Sequence, residues 1–381
     1  MRPAVDFNER PFVVIWENTR ACDLACVHCR AAAQSRRSQF ELTTEEGLRL
    51  IDEVGEMGPK VFVITGGDPL KRDDTYQMIE RARLRGLEPS LTPSATPLLT
   101  SEAVTMMKRH GLARMAVSLD GADAESHDGF RRVAGSFDIT MNAIRAATRE
   151  QIAVQVNTTV TRRTLDQLPR IVQLLEDYGI VMWSVFFVVP TGRAKMADLV
   201  TPEEVEEVFG FLYETSRRVP FAIRTTEAMH YRRYMLQRML AEKGQTVASM
   251  RNPVTGLIDP STLFTQNGPR AMPLGVQMNA VSRAPRGVNE AKGLVFISHI
   301  GDVFPSGFLP MKAGNVKQQP LAEIYRDSPL FMSLRENGNL EGKCGRCEFR
   351  DLCGGSRARA WATSGNMFGS DPLCTYQPEV A

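Results

Sequence analysis

TRACDLACVHCRAAA, residues 19–33, places three cysteines within eight residues, at Cys22, Cys26 and Cys29. Thiolates are ligands that iron and zinc select in proteins. Three of them leave a four-coordinate site one ligand short. The stretch therefore predicts a metal site with an open position, and the identity of the molecule that completes it is the first question that the sequence raises.

The composition is that of an ordinary globular protein, with 381 residues, 43% of them hydrophobic and 24% charged, and a formal net charge of +2. No block of like charges favours a nucleic-acid or anionic-membrane partner. No apolar run approaches the roughly 20 residues of a membrane helix, and the N-terminus lacks a signal-peptide core. We therefore expect a cytoplasmic protein with reduced thiols and with neither nucleic acid nor membrane as a partner.

The seven cysteines fall into two groups, three at 22–29 and four at 344–374, with none between them. An odd number argues against a disulfide framework, and grouping at ligand spacing favours metal binding. The sequence thus predicts two metal sites, one near each end of the chain.

Apolar, β-branched segments alternate with amphipathic stretches from about residue 12 to residue 217. The predicted strands are 12–19, 61–67, 89–94, 113–120, 153–160 and 182–189. Helices are predicted over 43–57 and from Thr201, where a capping Thr precedes Pro202 and acidic residues. Such alternation predicts an α/β fold with a parallel sheet and right-handed crossovers. Six units instead of eight predict an open, partial (β/α)6 barrel.

A polar or glycine-rich segment accompanies the end of each predicted strand. In chain order these are CDLACVHC, GGDPL (66–70), Ser94, SLDG (118–121), Asn157 with Thr158, and PTGR (190–193). The carboxyl ends of parallel barrel strands form the active-site face. The six segments together therefore predict an active-site rim.

The remainder of the chain departs from this pattern. Residues 240–290 are rich in Pro, Gly, Asn and Ser, which predicts a long loop, either disordered or a lid. The segment 294–308 predicts a β-hairpin with its turn at 300–302. We expect a barrel over 1–217, a helical segment and connecting loop over 218–290, and a small cysteine-rich α+β domain over 291–381.

With these motifs the chain resembles the radical S-adenosylmethionine (SAM) superfamily. In that family, the cysteines of C-x3-C-x2-C bind three irons of a 4Fe–4S cluster. The amino and carboxylate groups of SAM bind the fourth iron. The resemblance implies a radical SAM partial barrel and an enzyme that cleaves SAM reductively to a 5′-deoxyadenosyl radical, which abstracts hydrogen from substrate. It also implies an electron donor of the flavodoxin or ferredoxin type. Zinc is the alternative metal, although zinc motifs usually pair two C-x2-C knuckles.

The same resemblance implies a set of SAM-binding residues. GGDPL matches a Gly-Gly-Glu-Pro motif whose backbone binds the methionine ammonium group, with Asp in place of Glu. Ser118 in SLDG and Arg131 in HDGFR match positions that contact the ribose and the methionine carboxylate of SAM. The PTGR segment resembles the one whose backbone contacts the adenine. The implied SAM-binding residues are Gly66, Gly67, Asp68, Pro69, Ser94, Ser118 and Arg131.

The C-terminal cysteines resemble the SPASM domain of the same superfamily. Their spacing is C-x2-C-x5-C with a late fourth cysteine, which implies one auxiliary 4Fe–4S cluster with full thiolate ligation; zinc in a treble-clef knuckle is the alternative. Positions for a second auxiliary cluster are lost, since Ser306 and Arg357 stand where cysteines are expected. The implied ligands are Cys344, Cys347, Cys353 and Cys374.

The C-terminal segments look most like the radical SAM enzymes of heme and heme d1 biosynthesis. This implies a tetrapyrrole substrate modified at a propionate side chain, for example by decarboxylation. The alternatives are a maturase that acts on a ribosomally made peptide and, disfavoured by the complete SAM rim, a non-enzymatic iron–sulfur carrier. Arg350, Arg357 and Arg359 are candidates to pair with propionates or to have a structural role. No catalytic acid or base is predicted; the candidates for substrate contact are His230, Tyr231, Arg232 and His299.

Overall fold

The computed structural model describes residues 6–258 and 287–378. Its strands are β1 (Val13–Thr19), β2 (Val61–Gly66), β3 (Pro89–Leu91), β4 (Arg114–Ser118), β5 (Ala153–Val160), β6 (Met182–Phe187), β7 (Ala222–Thr226), β8 (Leu294–Ile297), β9 (Asp302–Phe304) and β10 (Gly314–Asn315). All of them belong to one sheet, in the order β10-β9-β8-β1-β2-β3-β4-β5-β6-β7.

The α-helices of the described ranges are α1 (Thr44–Met57), α2 (Thr75–Leu84), α3 (Ser101–Arg109), α4 (Ala124–Arg131), α5 (Ser136–Arg149), α6 (Leu168–Leu175), α7 (Pro202–Ser216), α8 (Tyr231–Glu242), α9 (Leu321–Asp327), α10 (Pro329–Arg335), α11 (Gly342–Arg346) and α12 (Arg357–Ser364). Within residues 6–258 and 287–378, no helix is both long and apolar enough to cross a membrane.

The predicted partial barrel is confirmed. Strands β1 to β7 pair in chain order, and every pairing is parallel. Each of the six predicted strands has its counterpart in β1 to β6. The sequence analysis did not predict β7, which pairs with β6 and extends the parallel sheet by one strand.

The two helix starts proposed from sequence are also confirmed, and the physical cause is the same in both. The Thr43 hydroxyl accepts from the Glu46 backbone N–H at 3.2 Å, and Thr201 does the same for Glu204 at 3.1 Å. The two glutamates accept in return from the threonine N–H groups. Each reciprocal cap satisfies two N–H groups at a helix end, and losing such a cap costs about 1 kcal/mol.

The two faces of the barrel sheet differ in burial. Along β5, Val154, Val156 and Val160 pack in the core and are at most 1% exposed, whereas the alternate residues are only half-buried. We call the half-buried face, which includes Asn157 of β5, the inner face. The pairing register continues this face from strand to strand. We call the space that it encloses the lumen. Polar residues on the inner face are Glu17, Thr65, Ser90, Arg114, Ser118, Gln155, Asn157, Thr159, Ser184, Arg224 and Thr226.

The C-terminal part joins the barrel through the sheet itself. The predicted hairpin is confirmed as β8 and β9, with the Ser298 N–H donating to the Asp302 carbonyl at 2.8 Å. Strand β8 also pairs in parallel with β1, so the hairpin continues the barrel sheet at its open edge. Of the loop predicted over 240–290, α8 includes residues up to Glu242, a 3-10 turn spans Val247–Met250, and residues 259–286 lie outside the described ranges.

Candidate iron–sulfur and cosubstrate site

The three N-terminal cysteines lie together in the loop between β1 and α1. They form one apolar cluster with Leu24 and Ala33. The backbone N–H groups of Leu24 and Ala33 donate to Cys22 Sγ and Cys29 Sγ, each at 3.4 Å. Hydrogen bonds of this kind stabilise the thiolate form that binds iron. The loop therefore presents the three sulfurs as one donor set at the carboxyl end of β1, and this set suits a cluster with one iron left open.

The end of helix α4 supports this loop. The Ala25 N–H donates to the Arg131 carbonyl at 3.2 Å, and the Val27 N–H donates to the Phe130 carbonyl at 3.1 Å. His28 stacks on the Phe130 ring, with the centroids 4.5 Å apart. The His28 ring therefore packs on α4. Helix α4 thus fixes the middle of the cysteine loop at three successive points.

Arg131 also brings a permanent positive charge to the cysteines. One Nη atom lies 3.5 Å from Cys26 Sγ, and the other pairs with the Asp120 carboxylate. Burial raises the pKa of Asp120, but the Arg131 guanidinium, His28, His127 and the Thr159 N–H together outweigh burial, so the pKa is lower than usual. Burial lowers the pKa of Arg131, but Asp120 and Cys26 together more than offset burial and raise the pKa. A charged guanidinium at this position favours an anionic group beside the cysteines.

The two glycines of GGDPL are required by a close approach of two backbones. A Cβ atom on Gly67 would lie 2.4 Å from the Ala21 carbonyl oxygen. The Gly67 N–H donates to the Thr19 carbonyl and the Asp68 N–H donates to the Ala21 carbonyl, both at 2.7 Å. The turn after β2 therefore packs directly on the start of the cysteine loop.

The Asp68 carboxylate is buried and holds the next part of the rim. It accepts from the Thr96 hydroxyl at 2.7 Å, from the Ser94 N–H at 3.3 Å and from the Leu70 N–H at 3.2 Å. Burial raises the pKa of this carboxyl despite these bonds. The side chain faces the loop after β3, so Asp68 positions the rim.

Ser94 completes this contact between strands. Its hydroxyl donates to the Gly67 carbonyl at 2.6 Å and lies 3.4 Å from Cys22 Sγ. Ser118 stands on the inner face at the end of β4, two residues before Asp120, which in turn holds Arg131. The structure thus brings the implied SAM-binding residues to one rim around the three cysteines.

The PTGR segment wraps around the other side of the cysteine loop. A Cβ atom on Gly192 would lie 2.4 Å from the Cys29 carbonyl oxygen, and its φ of +67° favours glycine as well. The Arg193 N–H donates to the Cys29 carbonyl at 3.0 Å, and its guanidinium donates to the Cys26 carbonyl at 3.3 Å. The segment after β6 therefore closes the rim around the loop.

The four C-terminal cysteines line one cavity, together with Lys343 and Arg350. Arg357 adds a further cation, with Nη2 3.6 Å from Cys344 Sγ. Four thiolates around a 4Fe–4S core give an anionic assembly, and cations next to it are favourable. In the described part of the chain, no three His, Cys, Asp or Glu side chains converge closely enough to hold a single metal ion. Four thiolates are a donor set that an iron–sulfur cluster or a zinc ion would select.

Three thiols of this second site hold their protons more tightly than ordinary cysteines do. Burial raises the pKa of Cys347 to about 12 and also raises the pKa values of Cys353 and Cys374. Iron must therefore displace protons, which couples loading of the site to pH and to folding of the tail.

The positions that lack the cysteines of a second auxiliary cluster are filled by protein hydrogen bonds. The Ser306 hydroxyl donates to Glu227 at 3.4 Å. The Arg357 guanidinium donates to the Gly369 carbonyl at 2.7 Å and to the Met367 carbonyl at 3.0 Å. These buried contacts agree with a single auxiliary cluster.

The candidate arginines for propionate binding have protein partners. Arg359 is fully buried, and its guanidinium pairs with Asp371 at 3.0 Å. Arg357 is held by carbonyl groups, and Arg350 donates to the Gly345 carbonyl at 3.2 Å. The structural alternative given for this group thus describes Arg357 and Arg359, because protein atoms already engage most of their donors; Arg359 Nη1 has no hydrogen-bond partner among the described residues.

Of the four candidates for substrate contact, His230, Tyr231 and His299 are buried, and Arg232 is half-buried. His230 lines the four-cysteine cavity, Tyr231 packs against Phe209, and Arg232 donates to the Val288 and Leu352 carbonyl groups. Phe349 and Leu352 of the C-terminal domain pack against Leu236 and Leu240 of α8. His299 contacts Glu17, which pairs in register with Thr65 of the inner face.

His299 belongs to a buried network that the sequence analysis missed. Its Nδ1 lies 3.1 Å from the carboxylate of Glu17, which also pairs with Arg30 of the cysteine loop. The Arg30 guanidinium stacks over the Phe296 ring at 4.6 Å and donates to the Gly307 carbonyl. The available signal was Glu17 itself, a lone acid within the apolar strand FVVIWENT. The network connects the cysteine loop to the C-terminal hairpin.

A second group missed by the sequence analysis is a pair of buried acids, Glu227 and Glu290. The Ser356 hydroxyl donates to Glu227, and the Ala358 N–H donates to Glu290 at 3.0 Å. Burial and the neighbouring Glu290 carboxyl raise the pKa of Glu227 to about 8. The pair therefore holds a proton at neutral pH, between the end of β7 and the C-terminal domain.

Comparison with known proteins agrees with this site. The Radical SAM superfamily profile matches residues 16–175, and the SPASM profile, described as an iron–sulfur cluster-binding domain, matches residues 290–348. The chain is 35% identical to the AdoMet-dependent heme synthase of Methanosarcina barkeri, over 97% of each chain. It is 38% identical to the AdoMet-dependent heme synthase of Oleidesulfovibrio alaskensis, over 96% of this chain and 87% of that protein.

The fold is shared with a solved structure as well. The crystal structure of Streptococcus suis SuiB bound to S-adenosylmethionine aligns with a TM-score of 0.71 and 16% identity, over 97% of this chain and 78% of that chain. The family implies a 4Fe–4S cluster that binds SAM, and the SPASM domain implies auxiliary iron–sulfur binding. The chain therefore belongs to the radical SAM superfamily of iron–sulfur enzymes and carries a SPASM domain after its barrel.

Proposed function

We propose that this enzyme modifies an iron-containing tetrapyrrole by oxidative decarboxylation of a propionate side chain to a vinyl group. The observation that carries the proposal is the similarity, over nearly the whole chain, to two proteins named AdoMet-dependent heme synthase. Heme carries vinyl groups at positions where less processed porphyrins carry propionates, so a heme-forming activity that consumes SAM requires this conversion.

The first cysteine group would hold the cluster that binds SAM, and the second group the auxiliary cluster. When bound, the reduced SAM-binding cluster and SAM supply a 5′-deoxyadenosyl radical that abstracts hydrogen from substrate. The protein residues bind and orient the cosubstrate: Gly66 to Pro69 and Ser94 would meet the methionine end, Ser118 the ribose, and Arg131 the methionine carboxylate. Their mutual contacts at one rim support these roles.

The lumen is a suitable chamber for the substrate. Register pairs Ser118 with Asn157, Asn157 with Ser184, and Ser184 with Arg224, so these four residues form one level of the inner face. Arg224 on β7 thus belongs to the same level as the proposed ribose contact, and its Nη1 donates to the Ile223 carbonyl at 3.4 Å. Arginine pairs well with carboxylates. We propose that Arg224 binds a propionate in the lumen.

The proposed reaction converts a propionate to a vinyl group with loss of a hydrogen atom, CO₂ and one electron. A hydrogen atom passes from the propionate β-carbon to the 5′-deoxyadenosyl radical, and loss of CO₂ then leaves a vinyl group and one electron. A one-electron carrier must accept that electron. We propose a donor of the flavodoxin or ferredoxin type for SAM cleavage, and a cytoplasmic location, which the grouping of the cysteines outside disulfides supports.

The test is an anaerobic assay of the reconstituted enzyme with SAM, a reductant and iron coproporphyrin. Mass spectrometry should show 5′-deoxyadenosine together with a porphyrin that has lost CO₂ and two hydrogens. Arg224→Leu should lower kcat/KM for this product, whereas Arg218→Leu, on the protein surface, should not. An unchanged porphyrin, with modification of a candidate peptide instead, would contradict the proposal in favour of a peptide maturase.

A further inference from the structure

His230 is the least satisfied polar side chain beside the second cysteine group. It is the residue immediately before α8 and is fully buried. Neither ring nitrogen has a hydrogen-bond partner among the described residues. Leaving a buried donor without a partner costs free energy, so such a group usually has a partner that the protein atoms alone do not provide.

The surroundings of His230 narrow the choice of partner. On one side, the ring packs edge-on against Phe209, with the centroids 4.8 Å apart. Its Nδ1 lies 3.8 Å from Asp371, beyond hydrogen-bond distance. That carboxylate is already engaged by the Arg359 guanidinium at 3.0 Å and by the Ser356 N–H at 2.9 Å. Asp371 is therefore not the partner of the imidazole.

The remaining side of the imidazole faces the cavity of the four cysteines. His230 lines this cavity together with Cys344, Cys347, Cys353 and Cys374. Burial lowers the pKa of His230 to about 3, so the ring is neutral at physiological pH and carries one N–H donor and one acceptor. A neutral N–H beside a sulfur-rich anionic group is a hydrogen-bond donor without the cost of burying a charge.

We propose that His230 donates a ring N–H hydrogen bond to a sulfur of the auxiliary cluster and thereby raises the reduction potential of that cluster. The inference rests on the cluster assignment in the proposed function and is independent of the tetrapyrrole substrate. Hydrogen bonds to the sulfurs are among the factors that set the potential of an iron–sulfur cluster, because they stabilise the more negative, reduced state.

Other donors to these sulfurs come from the C-terminal domain itself. The Gly355 N–H donates to Cys353 Sγ at 3.4 Å, and Arg357 Nη2 lies 3.6 Å from Cys344 Sγ. His230 instead follows β7 of the barrel sheet. Its hydrogen bond therefore makes the potential of the auxiliary cluster depend on contact between the barrel and the C-terminal domain.

The test uses the full chain with Cys22, Cys26 and Cys29 changed to Ala, so that the auxiliary cluster gives the only iron–sulfur signal. Two substitutions are added to this parent separately: His230→Phe removes the donor, and His230→Gln retains an N–H donor. Phe209→Leu disturbs the same packing but keeps the imidazole. Iron content, the midpoint potential from an anaerobic EPR titration, and the coupling of exchangeable protons from ENDOR in H₂O and D₂O are measured.

We expect His230→Phe to retain its iron, to shift the potential to a more negative value and to lose one exchangeable-proton coupling. His230→Gln should lie closer to the parent, and Phe209→Leu should match it. Unchanged potential and proton coupling in His230→Phe would overturn the inference, as would loss of iron from both His230 variants, which would indicate a ligand or purely structural role. A parent that binds no iron would overturn the cluster assignment itself.

Discussion

Arg131 Nη1 lies 3.5 Å from Cys26 Sγ, while the same guanidinium pairs with Asp120. The residue thus holds a positive charge beside the proposed SAM-binding cluster. Arg131→Leu should weaken SAM binding, because a charge-assisted hydrogen bond contributes about 1.5–3 kcal/mol, or roughly ten- to a hundred-fold in affinity. Anaerobic calorimetric titration with SAM measures this change. Arg36→Leu, an exposed arginine of the same loop, is the control, and equal affinities in the two variants would contradict the role of Arg131.

Asp68 contributes to the same rim through the loop after β3. Asp68→Ala should lower SAM affinity and leave cluster iron unchanged, because the buried carboxylate positions Ser94 and Thr96 but contacts none of the cysteines. Thr96→Val removes only one of its hydrogen bonds, so we expect a smaller loss. Iron analysis and SAM titration distinguish the two effects. Wild-type affinity in Asp68→Ala would show that the turn keeps its position without the carboxylate.

The Glu227–Glu290 pair predicts a dependence of stability on pH. Burial and Glu290 raise the pKa of Glu227 from 4.5 to about 8, with the Arg359 cation opposing this change. The folded protein therefore keeps a proton that the unfolded chain releases. The resulting stabilisation is complete below the unfolded pKa and is lost as pH rises through the folded pKa, with a slope of up to about 1.4 kcal/mol per pH unit.

The measurement is the anaerobic melting temperature from about pH 6 to about pH 9. It should fall with rising pH in the parent and fall less in Glu227→Gln, which carries a neutral amide at all these values. Glu203→Gln changes an exposed glutamate and should retain the slope of the parent. A Glu227→Gln variant with the full slope would show that another group titrates.

Cys374 closes a long loop to the other three cysteines of its group, and metal binding there contributes to folding of the tail. Cys374→Ser should therefore lower the melting temperature and the yield of modified product more than the yield of 5′-deoxyadenosine, since SAM is cleaved at the other cluster. The adjacent Thr375→Ser is the control. Equal losses of both products would show that the two iron–sulfur sites do not function separately.

Local signals in the sequence account for much of the fold. The capping residues Thr43 and Thr201 and the alternation within β5 each depend on neighbours a few residues away, so they can be read directly from the sequence. The pairing of β8 with β1 depends on residues about 280 positions apart, which periodicity does not encode. Strand β7 was missed because AIRTT is short and only its first two residues are buried.

Local motifs likewise predict one part of the candidate site, and long-range packing determines the rest. Cysteine spacing and GGDPL identify ligands and rim, because these motifs are local. The surroundings of His230 are set by the C-terminal domain that covers α8, and the sequence therefore suggested substrate contact for a residue that faces the four-cysteine cavity. Glu227 and Glu290 lie 63 positions apart in the sequence, and neither belongs to a motif. Long-range burial, which gives both groups their properties, cannot be predicted from composition.

Hydrogen abstraction from a propionate β-carbon is tested most directly by the transfer of deuterium from the substrate to 5′-deoxyadenosine. Iron coproporphyrin labelled with deuterium at the propionate β-carbons is incubated anaerobically with the reconstituted enzyme, SAM and a reductant, and 5′-deoxyadenosine is analysed by mass spectrometry. We expect 5′-deoxyadenosine to acquire deuterium as the vinyl product forms. Neither product should appear when Cys22, Cys26 and Cys29 are changed to Ala. Unlabelled 5′-deoxyadenosine with an unchanged porphyrin would contradict hydrogen abstraction at this carbon.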